Sequence, residues 1–191
     1  MPFLKEEYRK EEKINGVIYD MSPSPNYQHG IVDGNIYRII STGLQGTLCL
    51  AFMENLDYKY HAQESNDYVI PDVMIICDRK HLKGGSYTGT PRFIVETLSP
   101  ATALRDMTVK KEIYQAAGVE EYWIISSKER AVQIYYLEDG KYDKYRDEKA
   151  RDYDRNVGFY LLKGILALKA GASGFLSLYY VPDLVLEHRY V

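Results

Sequence analysis

The chain has little that marks a familiar catalytic or membrane protein. It has only two cysteines, one tryptophan and no basic excess. Cys49 and Cys77 lack the CxxC spacing of a zinc ribbon or dithiol redox motif. Each lies in an apolar, strand-like run, so both read as small core residues in a reducing compartment, and the cytoplasm is the expected location. Lys and Arg total 24 against 27 Asp and Glu, giving a net charge of −3, so no whole-chain basic field announces nucleic acid. There is no Gly-rich phosphate loop and no GxSxG nucleophile elbow. His61, His81 and His188 show no ligand spacing with each other, which argues against zinc. The start, MPFLKEEYRKEEK, is charged and has no apolar signal core. The most apolar stretch, residues 157–181, is broken by Lys163, Lys169 and several glycines, so no membrane span is expected.

What is present fits one globular domain over residues 1–191. Apolar residues make up 46% and charged residues 27%, enough to build a single core at this length. The 19 tyrosines suit half-buried strands and their wet edges. Asn15-Gly16 between short apolar runs predicts a hairpin, and Ser22-Pro23-Ser24-Pro25-Asn26 predicts a stop followed by a helix start. Val32, Ile36, Ile39 and Ile40 recur at helical spacing, so 26–45 reads as an amphipathic helix, weakened by Gly30 and Gly34. Hairpin and helix together form an N-terminal part over about 11–45. A core follows over about 47–126, then strands and a tail over about 130–191.

Within the core, 47–55, 68–77 and 91–98 read as strands, the last two separated by a turn-rich segment at 84–89. Residues 106–117 read as a helix with Val109, Ile113 and Ala117 on one stripe and Gly118 as its stop. Strands follow at 121–126, 131–137 and 141–145, the last after an Asp139-Gly140 turn. Strands with interspersed helices predict an α/β domain whose central mixed β-sheet is flanked by helices.

Two acids interrupt runs that otherwise read as buried strands: Asp72 in YVIPDVMII and Glu96 in FIVETL. A buried carboxylate is costly unless something neutralises it. Two of them on neighbouring strands form a latent site for a divalent cation. The alternative is that both lie at strand ends and face water. Pro71 cannot join a sheet ladder, so Asp72 is expected beside a bulge or bend. Alternation sets Glu96 on the face of Ile94 and Leu98. Asp106, Lys110 and Tyr114 fall along one helix face, either as an ordinary solvent pair or as a cation delivered to the acids. Glu54, ending the strand before Asp72, is a candidate for the same acidic cluster; His29 is a lone helical histidine. Arg105 and Lys111 flank the second helix and could touch phosphates, although a solvated face is the simpler reading.

The order of these features resembles the Uma-two family of bacterial restriction-endonuclease-type proteins, within the PD-(D/E)xK nuclease superfamily. The residues that carry it are Pro71-Asp72, Glu96-Thr97-Leu98-Ser99-Pro100, Asp106-x3-Lys110-x3-Tyr114, and Gly118 to Ile124. Upstream, Ile14 to Ile18, Met21-Ser22-Pro23 and His29 also fit, so the resemblance spans about 11–145. It implies a restriction-endonuclease-like core and a metal-dependent endonuclease acting on DNA. Asp72 and Glu96 would be the metal-binding acids, joined by the backbone carbonyl of Thr97, around Mg²⁺ or Mn²⁺. The superfamily lysine stands two positions after the second acid, where this chain has Leu98; the resemblance implies that Lys110 replaces it. Asp106, Tyr114, His29 and Glu54 would be accessory. Family members often carry Asp where this chain has Ser126. A homodimer is the expected state for cutting both strands. Two other readings stay open: a binding or regulatory protein that keeps the fold without cleaving, and a protein-interaction module using its tyrosine-rich surface.

Overall fold

The computed structural model describes residues 10–21, 26–129 and 131–149, with side chains to 143. The 22–25 segment, the apolar stretch at 157–181 and the tail lie outside the described residues.

The Asn-Gly signal forms the expected hairpin. Strands β1 (Glu11–Ile14) and β2 (Val17–Asp20) pair antiparallel across a two-residue turn. Asn15 and Gly16 both have positive φ, 51° and 76°, the conformation such turns require. The hairpin is pinned to the body by Lys13–Tyr68 backbone bonds and by Asp67, which accepts from the Gly16 N–H. Helix α1 (Tyr27–Gly43) is capped by the Asn26 side chain. Its buried stripe runs His29, Asp33, Ile36, Ile40. The apolar half of that stripe packs on the sheet, and the polar half lies at the helix start.

The main sheet has six strands, in the order β11-β10-β9-β8-β5-β3. They are β3 (Leu50–Met53), β5 (Val73–Ile76), β8 (Phe93–Thr97), β9 (Glu121–Ser126), β10 (Ala131–Glu138) and β11 (Lys141–Lys149). Only β8 and β9 pair in parallel, so the sheet is mixed, as expected. β5 and β8 are buried along their whole length. One face carries Val73, Ile75, Phe93, Val95, Trp123 and Ile125 against Ile36, Ile40 and Leu44 of α1. The other carries Met74, Ile76, Ile94, Tyr122 and Ile124 against Tyr58, Tyr87 and Tyr114. Six of the tyrosines, Tyr58, Tyr87, Tyr114, Tyr122, Tyr135 and Tyr142, are buried in a ring cluster with centroids 5.1–6.4 Å apart.

A short second sheet, β4 (Asp57–Tyr58), β7 (Ser86–Tyr87) and β6 (Leu82–Lys83), is absent from the sequence expectation. Two-residue strands carry no readable period. The second helix starts earlier than expected. It runs as α2 (Ala103–Arg105), a π-helical turn (Asp106–Lys110) and α3 (Lys111–Ala116). The wide turn holds both Asp106 and Lys110 inside, where π-bulges often serve function. Gly118 ends the helix with φ of 81°.

The cysteine expectation is corrected. Cys49 and Cys77 form a disulfide between β3 and β5 rather than standing as free core thiols. The physical reason is register: Leu50 pairs with Ile76, so the next residues outward, 49 and 77, face each other. No described helix is long and apolar enough to cross a membrane. Alkylation of the native chain followed by mass measurement should find both thiols blocked. Reduction should lower the melting temperature by roughly 10 °C, from the loop-closure entropy of a 28-residue link. Two freely alkylated thiols would contradict the link.

Candidate active site

Sheet register builds the site. Val73 pairs with Val95 across β5 and β8, so one step further Asp72 comes opposite Glu96. Both carboxylates are almost fully buried, at 6% and 2% exposure, which removes the alternative of strand ends facing water. Desolvation lifts the Asp72 pKa to about 6, against the lowering effect of His29. Burial also lifts Glu96 well above its usual range, and the Asp72 charge adds to the lift.

Around Glu96 lies a closed ionic cluster. Lys110 Nζ is 3.0 Å from Glu96 Oε1, 2.7 Å from Glu12 Oε1 and 3.4 Å from Asp106 Oδ1. The Tyr114 hydroxyl donates to the same Glu96 oxygen at 2.6 Å. Lys110 is 1% exposed, so the reading of Asp106 and Lys110 as a solvent pair fails. Burial alone would lower the Lys110 pKa, but Glu96, Glu12 and Asp106 hold it well above normal. The three carboxylates thus favour the ammonium form of Lys110. Glu12 was missed from sequence. It is fully buried, accepts from the Ile70 N–H at 3.0 Å, and lies 3.1 Å from Arg105 Nη1. Its one available signal was alternation, since Glu12 shares a hairpin face with buried Ile14. Arg105 thus serves this pair and stacks over Tyr19, and Lys111 lies over the Tyr135 ring.

On the other side of Asp72 a second cluster forms. His29, Asp33, Glu54 and Asp72 each offer one ligand atom, all within 4.8 Å of one another. His29 Nδ1 lies 2.6 Å from Asp33 Oδ2, and Nε2 lies 3.3 Å from Asp72 Oδ2. The 2.6 Å approach lacks hydrogen-bond alignment, and both atoms are buried without another partner. Burial would lower the His29 pKa, but Asp33 and Asp72 raise it to about 10. The acids demand positive charge at this point. Asp33 also went unread in the sequence, although it lies on the buried stripe of α1, four residues after His29. Glu54 has a left-handed backbone, φ 50°, outside any hairpin turn, and donates its N–H to the Asp72 carbonyl. Such strain in a non-glycine residue clusters at functional sites. Lys10 Nζ lies 2.6 Å from Glu54 Oε2.

The predicted metal set of Asp72, Glu96 and Thr97 lies where the two clusters meet. Asp72 joins the His29 group, while Glu96 is held by Lys110 and Tyr114. Thr97 enters through its N–H, donated to Asp72 at 2.7 Å, and its hydroxyl, donated to Asp33 at 2.6 Å. Ser126 lies outside both clusters and accepts from the Glu129 N–H. Lys110→Ala should cost about 3–5 kcal/mol of unfolding free energy, because it strands three buried acids. Adding Glu96→Gln should recover part of that loss in urea titrations. A loss below about 1 kcal/mol would show that the cluster is solvated.

Comparisons with known proteins agree with this architecture. An uncharacterised protein of Synechocystis is 27% identical over 141 residues, covering 72% of this chain and 73% of its own. A crystal structure titled as a putative nuclease of the DUF820 group, from Anabaena variabilis, superposes with a TM-score of 0.58 at 17% identity. It covers 81% of this chain and 90% of its own, and at that identity it supports the fold alone. The Uma2 family model, described as putative restriction endonuclease, matches residues 1–157. The chain belongs to the Uma2 family.

Proposed function

We propose that the protein is a metal-dependent endonuclease that hydrolyses phosphodiester bonds in DNA. The observation that carries this reading is the pairing of Asp72 and Glu96, two buried carboxylates set across from each other on adjacent strands beside a buried ammonium. The residues fit a divalent cation: buried, unsatisfied His29 Nδ1 and Asp33 Oδ2 lie next to Asp72. Such an ion, Mg²⁺ or Mn²⁺, supplies Lewis-acid polarisation of the phosphate and a more acidic bound water.

The chain's own residues do the rest. Lys110 keeps its proton and offsets negative charge around Glu96. Tyr114 fixes the Glu96 carboxylate through its hydroxyl. Asp106 and Glu12 hold Lys110 from two sides, so its ammonium does not swing into solvent. Thr97 orients both Asp72 and Asp33. As a homodimer, two such sites would address both strands of a duplex.

A second reading has one specific observation in its favour. Lys110 is already surrounded by three carboxylates within 3.4 Å. A lysine so occupied suits a protein that retains DNA without cutting it. Plasmid and linear DNA incubated with the chain, with and without Mg²⁺ or Mn²⁺, separates the two. The nuclease reading expects metal-dependent cutting, reduced about 100-fold or more by Asp72→Ala or Glu96→Ala. Cutting that survives both substitutions defeats the site assignment, and DNA retention without cutting favours the second reading.

A further inference from the structure

We propose that His29, Asp33, Glu54 and Asp72 together hold one divalent cation of the Mn²⁺ class, taken in preference to Mg²⁺. This deepens the nuclease reading by naming the ion and its ligands, but the binding claim stands or falls without any DNA cleavage.

Three observations carry it. The four side chains come from three separate elements: the first turns of α1, the end of β3 and the start of β5. They nevertheless bring one ligand atom each within 4.8 Å of one another. His29 Nδ1 and Asp33 Oδ2 are buried, approach to 2.6 Å, and make no aligned hydrogen bond with each other or with anything else described. Two buried ligand atoms that converge without an aligned hydrogen bond suit a shared cation. Finally, Asp72 and Asp33 are held from behind by Thr97, through N–H and hydroxyl bonds of 2.7 and 2.6 Å. Outer hydrogen bonds of this kind fix the orientation of ligating carboxylates.

The donor set selects the ion class. Three carboxylates suit hard cations such as Mg²⁺, Ca²⁺ and Mn²⁺. An imidazole nitrogen suits first-row transition metals, and Mg²⁺ prefers oxygen and keeps its waters. Of the two ions in the nuclease reading, Mn²⁺ is the transition metal, and it takes an imidazole nitrogen beside carboxylates more readily than Mg²⁺ does. Lys10 holds one oxygen of Glu54 and leaves the other for the ion. Glu96 is not among the side chains whose ligand atoms converge here, and its Oε1 is taken by Lys110 and Tyr114.

The test uses the full chain and manganese chloride, read by electron paramagnetic resonance of free and bound Mn²⁺. The expected result is saturable binding that Mg²⁺ displaces only at about tenfold excess or more. The echo spectrum of the bound ion should carry nitrogen modulation from an imidazole. Asp33→Asn should weaken Mn²⁺ binding by about 10- to 100-fold, while Glu96→Gln should leave it within about threefold. The wild-type echo spectrum keeps the claim testable should the Asp33 variant fail to fold. Bound Mn²⁺ without nitrogen modulation would overturn the proposal. So would a Glu96→Gln loss as large as that of Asp33→Asn. Binding as expected with no cleavage of any DNA would end the nuclease reading and leave this site intact.

Discussion

The structure depends on neutralising carboxylates inside a sheet that is covered on both faces. Glu12, Asp33, Asp72, Glu96 and Asp106 are all at or below 6% exposure. Bare charges at such depth would cost several kcal/mol each. Among the described residues the buried lysine is Lys110, with Arg105 at its margin. That serves the face of α3. On the face of α1 the buried His29 imidazole lies between two acids, and Lys10 pairs with Glu54 at the margin. The fold is therefore organised as two half-sites that meet at Asp72. One is closed by a lysine, and the other is built from metal-ligand residue types.

This division explains why so many elements converge on one end of the sheet. The N-terminal hairpin delivers Glu12 and Lys10, α1 delivers His29 and Asp33, β3 delivers Glu54, and the π-helical turn delivers Asp106 and Lys110. Each element also has a packing role, such as Ile36 and Ile40 of α1 against Val73 and Val95. Charge neutralisation and core formation thus reinforce each other. The Uma2 family model spans residues 1–157 and so covers every one of these residues.

Much of this was legible in the sequence, for definite reasons. Asp72 and Glu96 stood out because they broke strongly apolar runs, and their strands do lie side by side. Lys110 and Tyr114 followed from helical spacing, and both reach Glu96. The hairpin turn was written in Asn15-Gly16. Glu12 was not legible because it sits among charged neighbours, and Asp33 because an acid within an amphipathic helix reads as part of its solvent face. Only the docking of the hairpin and the helix buries them. The disulfide was hidden for a related reason: Cys49 and Cys77 are 28 residues apart, and only strand register brings them together. The small sheet of two-residue strands carries no period to read. Thr97 was expected to offer its carbonyl to an ion; its N–H and hydroxyl, which the sequence did not single out, hold Asp72 and Asp33.

The central claim is that Asp72 is the shared acid where a divalent cation meets the protein. Anomalous diffraction from crystals of the full chain grown with manganese tests it most directly. The account predicts a single strong peak among the side chains of Asp72, Glu54, Asp33 and His29, with Lys110 still against Glu96. A peak found only elsewhere, or Mn²⁺ bound at Glu96 with Asp72 uninvolved, would contradict it.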